Sequence, residues 1–160
     1  MASDMKVITE GLSKLGLQQP PASAVSNPDY NVIDVLRNYI SSELSRISEV
    51  DRDVIFGALD SPNTLDKGDL IIPLPRLKLK GVNPKDKAQE WSEKFELGQY
   101  LSKVKAEGVF LQFFSNPTLL FNLVIKDSLT RTKDYGYLPL GVGKKVLLEF
   151  SSPNIAKPFH

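Results

Sequence analysis

The residues best suited to chemistry gather at the end of the chain. Phe150-Ser151-Ser152-Pro153-Asn154 follows the apolar run Val146-Leu147-Leu148, and the segment continues through Lys157-Pro158 to His160, the single histidine of the sequence. The run reads as a buried strand. The Ser-Ser-Pro-Asn turn after it offers hydroxyls, a side-chain amide and free backbone N–H groups in one place, which suit the ammonium and carboxylate ends of an amino acid. Nucleotide-binding sheets set their ligands where a strand empties into such a turn ahead of a helix. A helix beginning near Lys157-Pro158 would aim its positive end at a phosphate. His160 would then donate to phosphate oxygens and stabilise charge as it develops. An ordinary strand–loop–helix corner has the same spacing, so position alone leaves both readings open. On the first, the segment is a site cut off as it begins and the chain is the front end of something larger.

Composition narrows the chemistry. The 160 residues suit one domain, or one domain and the opening of a second, and 41% hydrophobic content is enough for a core. Twenty basic residues against 19 acidic ones leave a net charge of +1, which argues against binding polyanions through bulk charge but permits local patches. The absence of cysteine excludes disulfides, thiolate zinc sites and cysteine nucleophiles. A lone histidine excludes His-cluster metal sites, and a Ser-His-Asp relay would have to pass through His160. Asp51 and Asp53 around Arg52, and Asp66 and Asp69 around a turn, read as caps and turns rather than a catalytic pair. An intracellular, cytoplasmic compartment is expected, with no membrane span. Asp4 and Glu10 without arginine speak against a transit peptide.

The elements that must position these groups follow from periodicity and punctuation. Residues 1–28 read as a tail: a short amphipathic helix in Met5–Leu17 using Val7, Ile8, Leu12 and Leu15, then a flexible linker from Gln18 to Ala24. Asn27-Pro28-Asp29 opens a helix with Val32, Val35, Leu36, Tyr39, Ile40, Leu44 and Ile47 on one face. Val54 to Leu59 reads as a strand, turned by Ser61-Pro62-Asn63; Gly68-Asp69 then leads into Leu70-Ile71-Ile72, where Pro73 and Pro75 prevent a continuous helix or central strand. Asn83-Pro84 opens a second helix with Ala88, Trp91 and Phe95 inward. Leu101 to Phe114 reads as a hairpin turning at Glu107-Gly108. Asn116-Pro117 opens a third helix, apolar and well buried through Leu119, Leu120, Leu123, Val124 and Leu129. A loop from Tyr135 to Gly143 and a last strand from Lys145 to Phe150 complete the chain. The expected class is α+β: a small, mostly antiparallel sheet covered by about three helices, plus the first strand of a nucleotide-binding domain.

The spelling of the terminal segment, Glu149 through His160, closely resembles the stretch of arginyl-tRNA synthetases that runs into their class I His-Xaa-Gly-His signature. The match is long and ungapped. Asn31 through Ser41, Gly68 through Pro73, Arg76 through Asp86, Asp134-Tyr135-Gly136 and the hairpin around Phe110 resemble the fungal cytosolic form. The resemblance covers roughly residues 28–160. It implies a division into a tail (1–28), an additional N-terminal tRNA-binding domain (29–142) and a truncated start of the catalytic domain (143–160).

By that resemblance, the N-terminal domain grips the outer corner of arginine tRNA and reads a base in its D-loop. The contact maps onto the hairpin at Glu107, Phe110 and Gln112. A phenyl face can stack an unstacked base, and an amide can donate to and accept from its edge. The fungal pattern has asparagine where this chain has Glu107. An ionised Glu only accepts hydrogen bonds and would repel phosphate, so either its contact is lost or it meets a base amino group. Without the resemblance, Phe110 and Gln112 are same-face neighbours on a half-buried strand. Arg76, Lys78 and Lys80, if extended, form a row of cations for the tRNA backbone, or a solvated edge whose lysines block wrong pairing.

The resemblance also implies the parent reaction, ATP-dependent attachment of arginine to tRNA with magnesium. Glu149, Phe150, Ser151, Ser152, Pro153 and Asn154 would line the arginine site, with His160 as the first signature histidine facing ATP. The fragment alone is expected to be monomeric, to hold no cofactor and to be inactive. A second reading is a protein-interaction module, with the Met5–Leu17 helix as a tethered docking peptide. A self-contained small enzyme ranks last.

Overall fold

In the computed structural model, which describes residues 6–138, 141–149 and 156, the chain is α+β. Five α-helices among the described residues surround one antiparallel sheet: α1 (Val7–Lys14), α2 (Val32–Ser48), α3 (Arg52–Ala58), α4 (Pro84–Lys94) and α5 (Pro117–Arg131). The sheet has three strands, β1 (Leu70–Pro73), β2 (Leu101–Glu107) and β3 (Phe110–Ser115), in the order β1-β3-β2.

Helix α2 is the main scaffold. Asn31 caps it by accepting from the Ile33 N–H at 3.0 Å. Its apolar stripe, Val35, Leu36, Ile40 and Leu44, is buried. Each such side chain contributes about 1.5–3 kcal/mol relative to exposure. Beside the stripe runs a second buried line that is polar. Asn38 is fully buried, accepts from the Ser23 backbone N–H at 2.9 Å and donates to the Ser26 hydroxyl at 3.1 Å. Asp34 accepts from the Asn27 N–H at 2.8 Å. The stretch expected to be a free tail and linker is therefore held. Helix α1 packs on α5 with Val7, Ile8 and Leu12 buried, and Arg131 of α5 donates to the Asp29 carbonyl while stacking on Tyr30 at 4.6 Å.

Aromatic contacts join α2 and the end of α4 to the sheet. Tyr39 stacks on Tyr100 with centroids 4.5 Å apart, and Phe95 packs on Phe113 at 5.4 Å. The Tyr39 hydroxyl donates to the Glu96 carbonyl at 2.8 Å, and burial pushes its pKa up to about 12, so it remains a donor. At the start of β1, Asp69 accepts from the N–H and hydroxyl of Ser115, at 2.8 and 2.7 Å. Gly68 there has φ +91°, and a Cβ would lie 2.6 Å from the Phe113 carbonyl oxygen, so only glycine fits.

Several expectations need correction. Residues Val54 to Leu59 are not a strand; they lie mostly in α3. The Asp51 carboxylate caps that helix by accepting from the N–H groups of Asp53 and Val54. Ile55, Phe56, Ala58 and Leu59 then fall on one buried helical face, which outweighs the strand preference of Val and Ile. The third expected helix, α5, is less buried than its composition suggests: Leu119 and Leu123 are buried, whereas Phe121, Ile125 and Leu129 are exposed. Residues 76–80 are not extended. Leu74–Leu77 forms a 3₁₀ turn, and Lys78 follows in the left-handed region at φ 51°. Pro75 directs this by setting a turn backbone and supplying no ladder N–H. The expected last strand is absent over 145–149, where Val146, Leu147 and Leu148 are exposed. A strand requires a paired neighbour, and the three-stranded sheet provides none for this segment. Phe150 lies outside the described residues.

Because α1 belongs to the core, Leu12→Ala is expected to lower the unfolding free energy by about 2–5 kcal/mol. Urea denaturation followed by circular dichroism measures this. A change within error would return α1 to the status of a loosely attached tail.

Candidate functional site

The outer face of the sheet builds the site. β3 is paired on both sides, so its alternation is strict: Leu111 and Phe113 point to the core and are fully buried, and Phe110 and Gln112 point the other way. Across the strands, Gln112 lies opposite Ile71 on one side and Lys105 on the other. Phe110 lies between Pro73 and Glu107. Two neighbouring rows on one face therefore carry an amide, a phenyl ring, a carboxylate and an ammonium.

Loops turn this face into a groove. Asp60 exchanges two 2.9 Å backbone hydrogen bonds with Ile71, which brings Ser61-Pro62-Asn63 alongside β1. The Leu74 N–H donates to the Val109 carbonyl at 3.0 Å and fixes the hairpin tip, where Gly108 turns with φ +59°. The resulting cavity of about 720 Å³ is lined by Asp60, Lys67, Arg76, Glu107, Phe110 and Gln112, with Pro62, Asn63 and Val109 among its walls. Phe110 is 40% exposed, whereas Gln112 is 3% exposed.

Hydrogen bonds set the polarity of the groove. Lys105 Nζ and Gln112 Nε2 both donate to Glu107 Oε2, at 2.8 and 3.1 Å. Gln112 Oε1 is buried and has no hydrogen-bond partner. Leaving a buried acceptor unmatched costs about 1–3 kcal/mol, a cost that a donor group entering the groove would remove. The hydrogen bond from Lys105, then that from Gln112, hold the Glu107 carboxyl below the usual glutamate range, with the Lys105 and Lys67 charges adding to the effect. Arg76 donates to the Ala58 carbonyl at 3.1 Å and faces Asp60 at 3.4 Å, so part of its charge is already matched.

The structure thus brings Glu107, Phe110, Gln112 and Arg76 together. Lys78 and Lys80 do not join them: Lys80 lines a separate cleft with Lys87 and Trp91. Lys67, Lys105 and Asp60 were missed by the sequence reading. Lys67 and Asp60 sit in an irregular stretch whose approach to the hairpin is a tertiary fact, but alternation along β2 places Lys105 on the face of Glu107. Of the terminal candidates, Glu149 is exposed and irregular. Phe150, Ser151, Ser152, Pro153, Asn154 and His160 lie outside the described residues. Among the described residues no group of His, Asp or Glu side chains could hold a metal ion.

Residues 34–115, which contain this groove, match the family model described as arginyl tRNA synthetase N terminal domain. Over its full 160 residues the chain is 56% identical to the cytoplasmic arginine–tRNA ligase of Saccharomyces cerevisiae, covering 26% of that protein. It is 43% identical to a probable cytoplasmic arginine–tRNA ligase of Schizosaccharomyces pombe, covering 25%. It is 35% identical over 125 residues to an arginine–tRNA ligase of Streptococcus pyogenes, matching 77% of this chain and 22% of that one. The chain spans about a quarter of the length of the first two relatives.

The Glu107 carboxylate should titrate below the ordinary glutamate value. Any contribution its contacts make to folding is then complete above that value and is lost as pH falls through the depressed one. A carbon-detected NMR titration measures the midpoint. Lys105→Ala removes the largest cause and should move the midpoint upward; an unchanged midpoint would remove Lys105 as the cause.

Proposed function

The chain belongs to the arginyl-tRNA synthetase family through its N-terminal domain, and from that premise we propose that its groove holds an unstacked nucleotide from the D-loop of arginine tRNA. The observation that carries this reading is the pairing of a half-exposed Phe110 ring with the buried, partnerless Gln112 acceptor on one sheet face. A ring face receives any base by stacking, and the polar edge beneath it discriminates between bases. Lys67 and Lys105 supply positive charge at the rim for the phosphates on either side of that nucleotide. Arg76 is a weaker phosphate contact, because Asp60 already faces it. Lys78 and Lys80 would touch the tRNA backbone only outside the groove.

In the parent protein this domain would anchor the tRNA while the catalytic part attaches arginine to it. ATP, with magnesium, would supply the activation chemistry there. Glu149 to Asn154 would form one wall of the arginine pocket, with His160 the first signature histidine. The proposed division of the chain remains a tRNA-binding domain over 29–142 and a catalytic beginning over 143–160. The fragment by itself is a monomer without ligase activity on this reading. A cytoplasmic setting is in keeping with the relatives named as cytoplasmic. Among the described residues no helix is long and apolar enough to cross a membrane. The docking-module reading is weaker, since the apolar face of α1 that would engage a partner is buried against α5.

Phe110→Ala in the full-length enzyme is expected to weaken tRNA binding by about 1–3 kcal/mol, one stacking interaction, while arginine and ATP affinities hold. Filter binding and steady-state kinetics measure this. An unaltered tRNA affinity would reject the stacking role. Lys67→Ala should flatten the salt dependence of tRNA binding by about one phosphate contact, and parallel slopes would take Lys67 out of the interface.

A further inference from the structure

Glu107 sets the hydrogen-bonding groups that the hairpin offers beside Phe110. The Lys105 ammonium and the Gln112 amide both donate to Glu107 Oε2, while Lys67 and Arg76 are further donors in the groove lining. Two acceptors are left: Glu107 Oε1, which has no hydrogen bond among the described residues, and the buried Gln112 Oε1. The Gln112 amide cannot simply turn over to present its nitrogen instead. Rotation would set its oxygen against the carboxylate, acceptor against acceptor. At 3% exposure it has little water to compensate. An amide at position 107 would leave this edge adjustable, because each amide can donate or accept. The carboxylate fixes the Gln112 amide as an acceptor and leaves the Lys105 ammonium as the donor beside it.

Bases differ in what they present to such an edge. Uracil shows a single N–H between two carbonyl oxygens, so a carboxylate meets repulsion on either side. Cytosine and adenine show one amino group beside a bare ring nitrogen. Guanine alone shows two adjacent donors, its N1–H and its 2-amino group, which match the two oxygens of a carboxylate in a charge-assisted pair. Its remaining O6 is an acceptor suited to an ammonium, and Lys105 already sits on the same carboxylate at 2.8 Å. Glu107 is 57% exposed at its side chain, so a base resting on Phe110 can reach it.

Resting on the nucleotide reading above, we propose that Glu107 makes this groove selective for guanine. It does so by accepting from the N1–H and 2-amino groups of a base stacked on Phe110, with Lys105 passing from Glu107 Oε2 to the guanine O6. Glu107 also acts as a positioning residue, holding the Gln112 amide with its oxygen away from the carboxylate.

The test is an NMR titration of the isotope-labelled 160-residue chain with GMP, AMP, CMP and UMP, following the Phe110 backbone amide and the Gln112 side-chain amide. GMP is expected to bind about tenfold or more tighter than UMP, the scale of one hydrogen bond to a charged group. Glu107→Asn and the near-isosteric Glu107→Gln should each reduce that ratio to about twofold or less. Glu107 is exposed, and unchanged amide spectra elsewhere would certify both variants as folded. UMP binding as tightly as GMP, with the same residues shifting, overturns the guanine selection and leaves the groove as a nucleotide site. A preference for GMP that survives both substitutions removes Glu107 as its cause. No shift at Phe110 or Gln112 with any nucleotide overturns the nucleotide reading itself, and the guanine selection with it.

Discussion

The pairing of β3 with a strand on each side is the constraint on which the rest of this structure depends. Hydrogen-bonded on both edges, β3 cannot slip without turning every side chain to the opposite face. Leu111 and Phe113, both fully buried, lock the inward set against Phe95 and the α2 side of the core. Phe110 and Gln112 are outward because Leu111 and Phe113 are inward. A ring needed at the surface is thus held by two residues that never see it. The Asp69 carboxylate at one end of β3 and the Leu74-to-Val109 hydrogen bond at the other leave little play in the register.

A second theme is the use of buried polar groups to hold segments with little regular structure. Asn38, Asp34 and Arg131 each take a backbone group from residues 23–29 into the core. Such groups cost free energy unless satisfied, so they act as selective clamps: the segment that satisfies them is fixed, and alternatives are penalised. Arg131 and Asp127 show the same economy, an ion pair one turn apart on α5, nearly excluded from water and further engaged with Asp29 and Tyr30. The N-terminal segment becomes part of the fold through these contacts and through the buried face of α1.

Charge is local. The net charge of +1 says little about the groove, where Lys67 and Arg76 share the lining with Glu107 and Lys105 pairs with it. Hydrogen bonds from Lys105 and Gln112, with the Lys105 and Lys67 charges, hold that carboxyl below the usual glutamate range, and the ionised group in turn orders Lys105 and Gln112. A single residue type at position 107 therefore shapes both the electrostatics and the hydrogen-bonding character of the site.

Local signals alone determined a good part of this protein. Asn31, Asn83 and Asn116 cap α2, α4 and α5 by bonding N–H groups two or three residues ahead, a rule that needs no knowledge of the rest of the chain. The hairpin, with Gly108 at its turn, was equally legible, and so was the shared face of Phe110 and Gln112, since period-two alternation is a property of the strand. Residues Val54 to Leu59 carry conflicting local signals: β-branched composition suits a strand, while the Asp51 cap and the buried spacing of Ile55, Phe56 and Leu59 make a helix. Tertiary structure decided what local rules cannot reach. It showed that α1 is core, that α5 leaves Phe121 and Leu129 in water, and that Val146 to Leu148 find no strand to pair with among the described residues. It carried Asp60, Lys67 and Arg76 to the hairpin and left Lys78 and Lys80 away from it. The physical reason is range: caps, turns and alternation act over a few residues. Burial and the assembly of a groove depend on which distant segments arrive, here Asp60 on Ile71 and Val109 on Leu74.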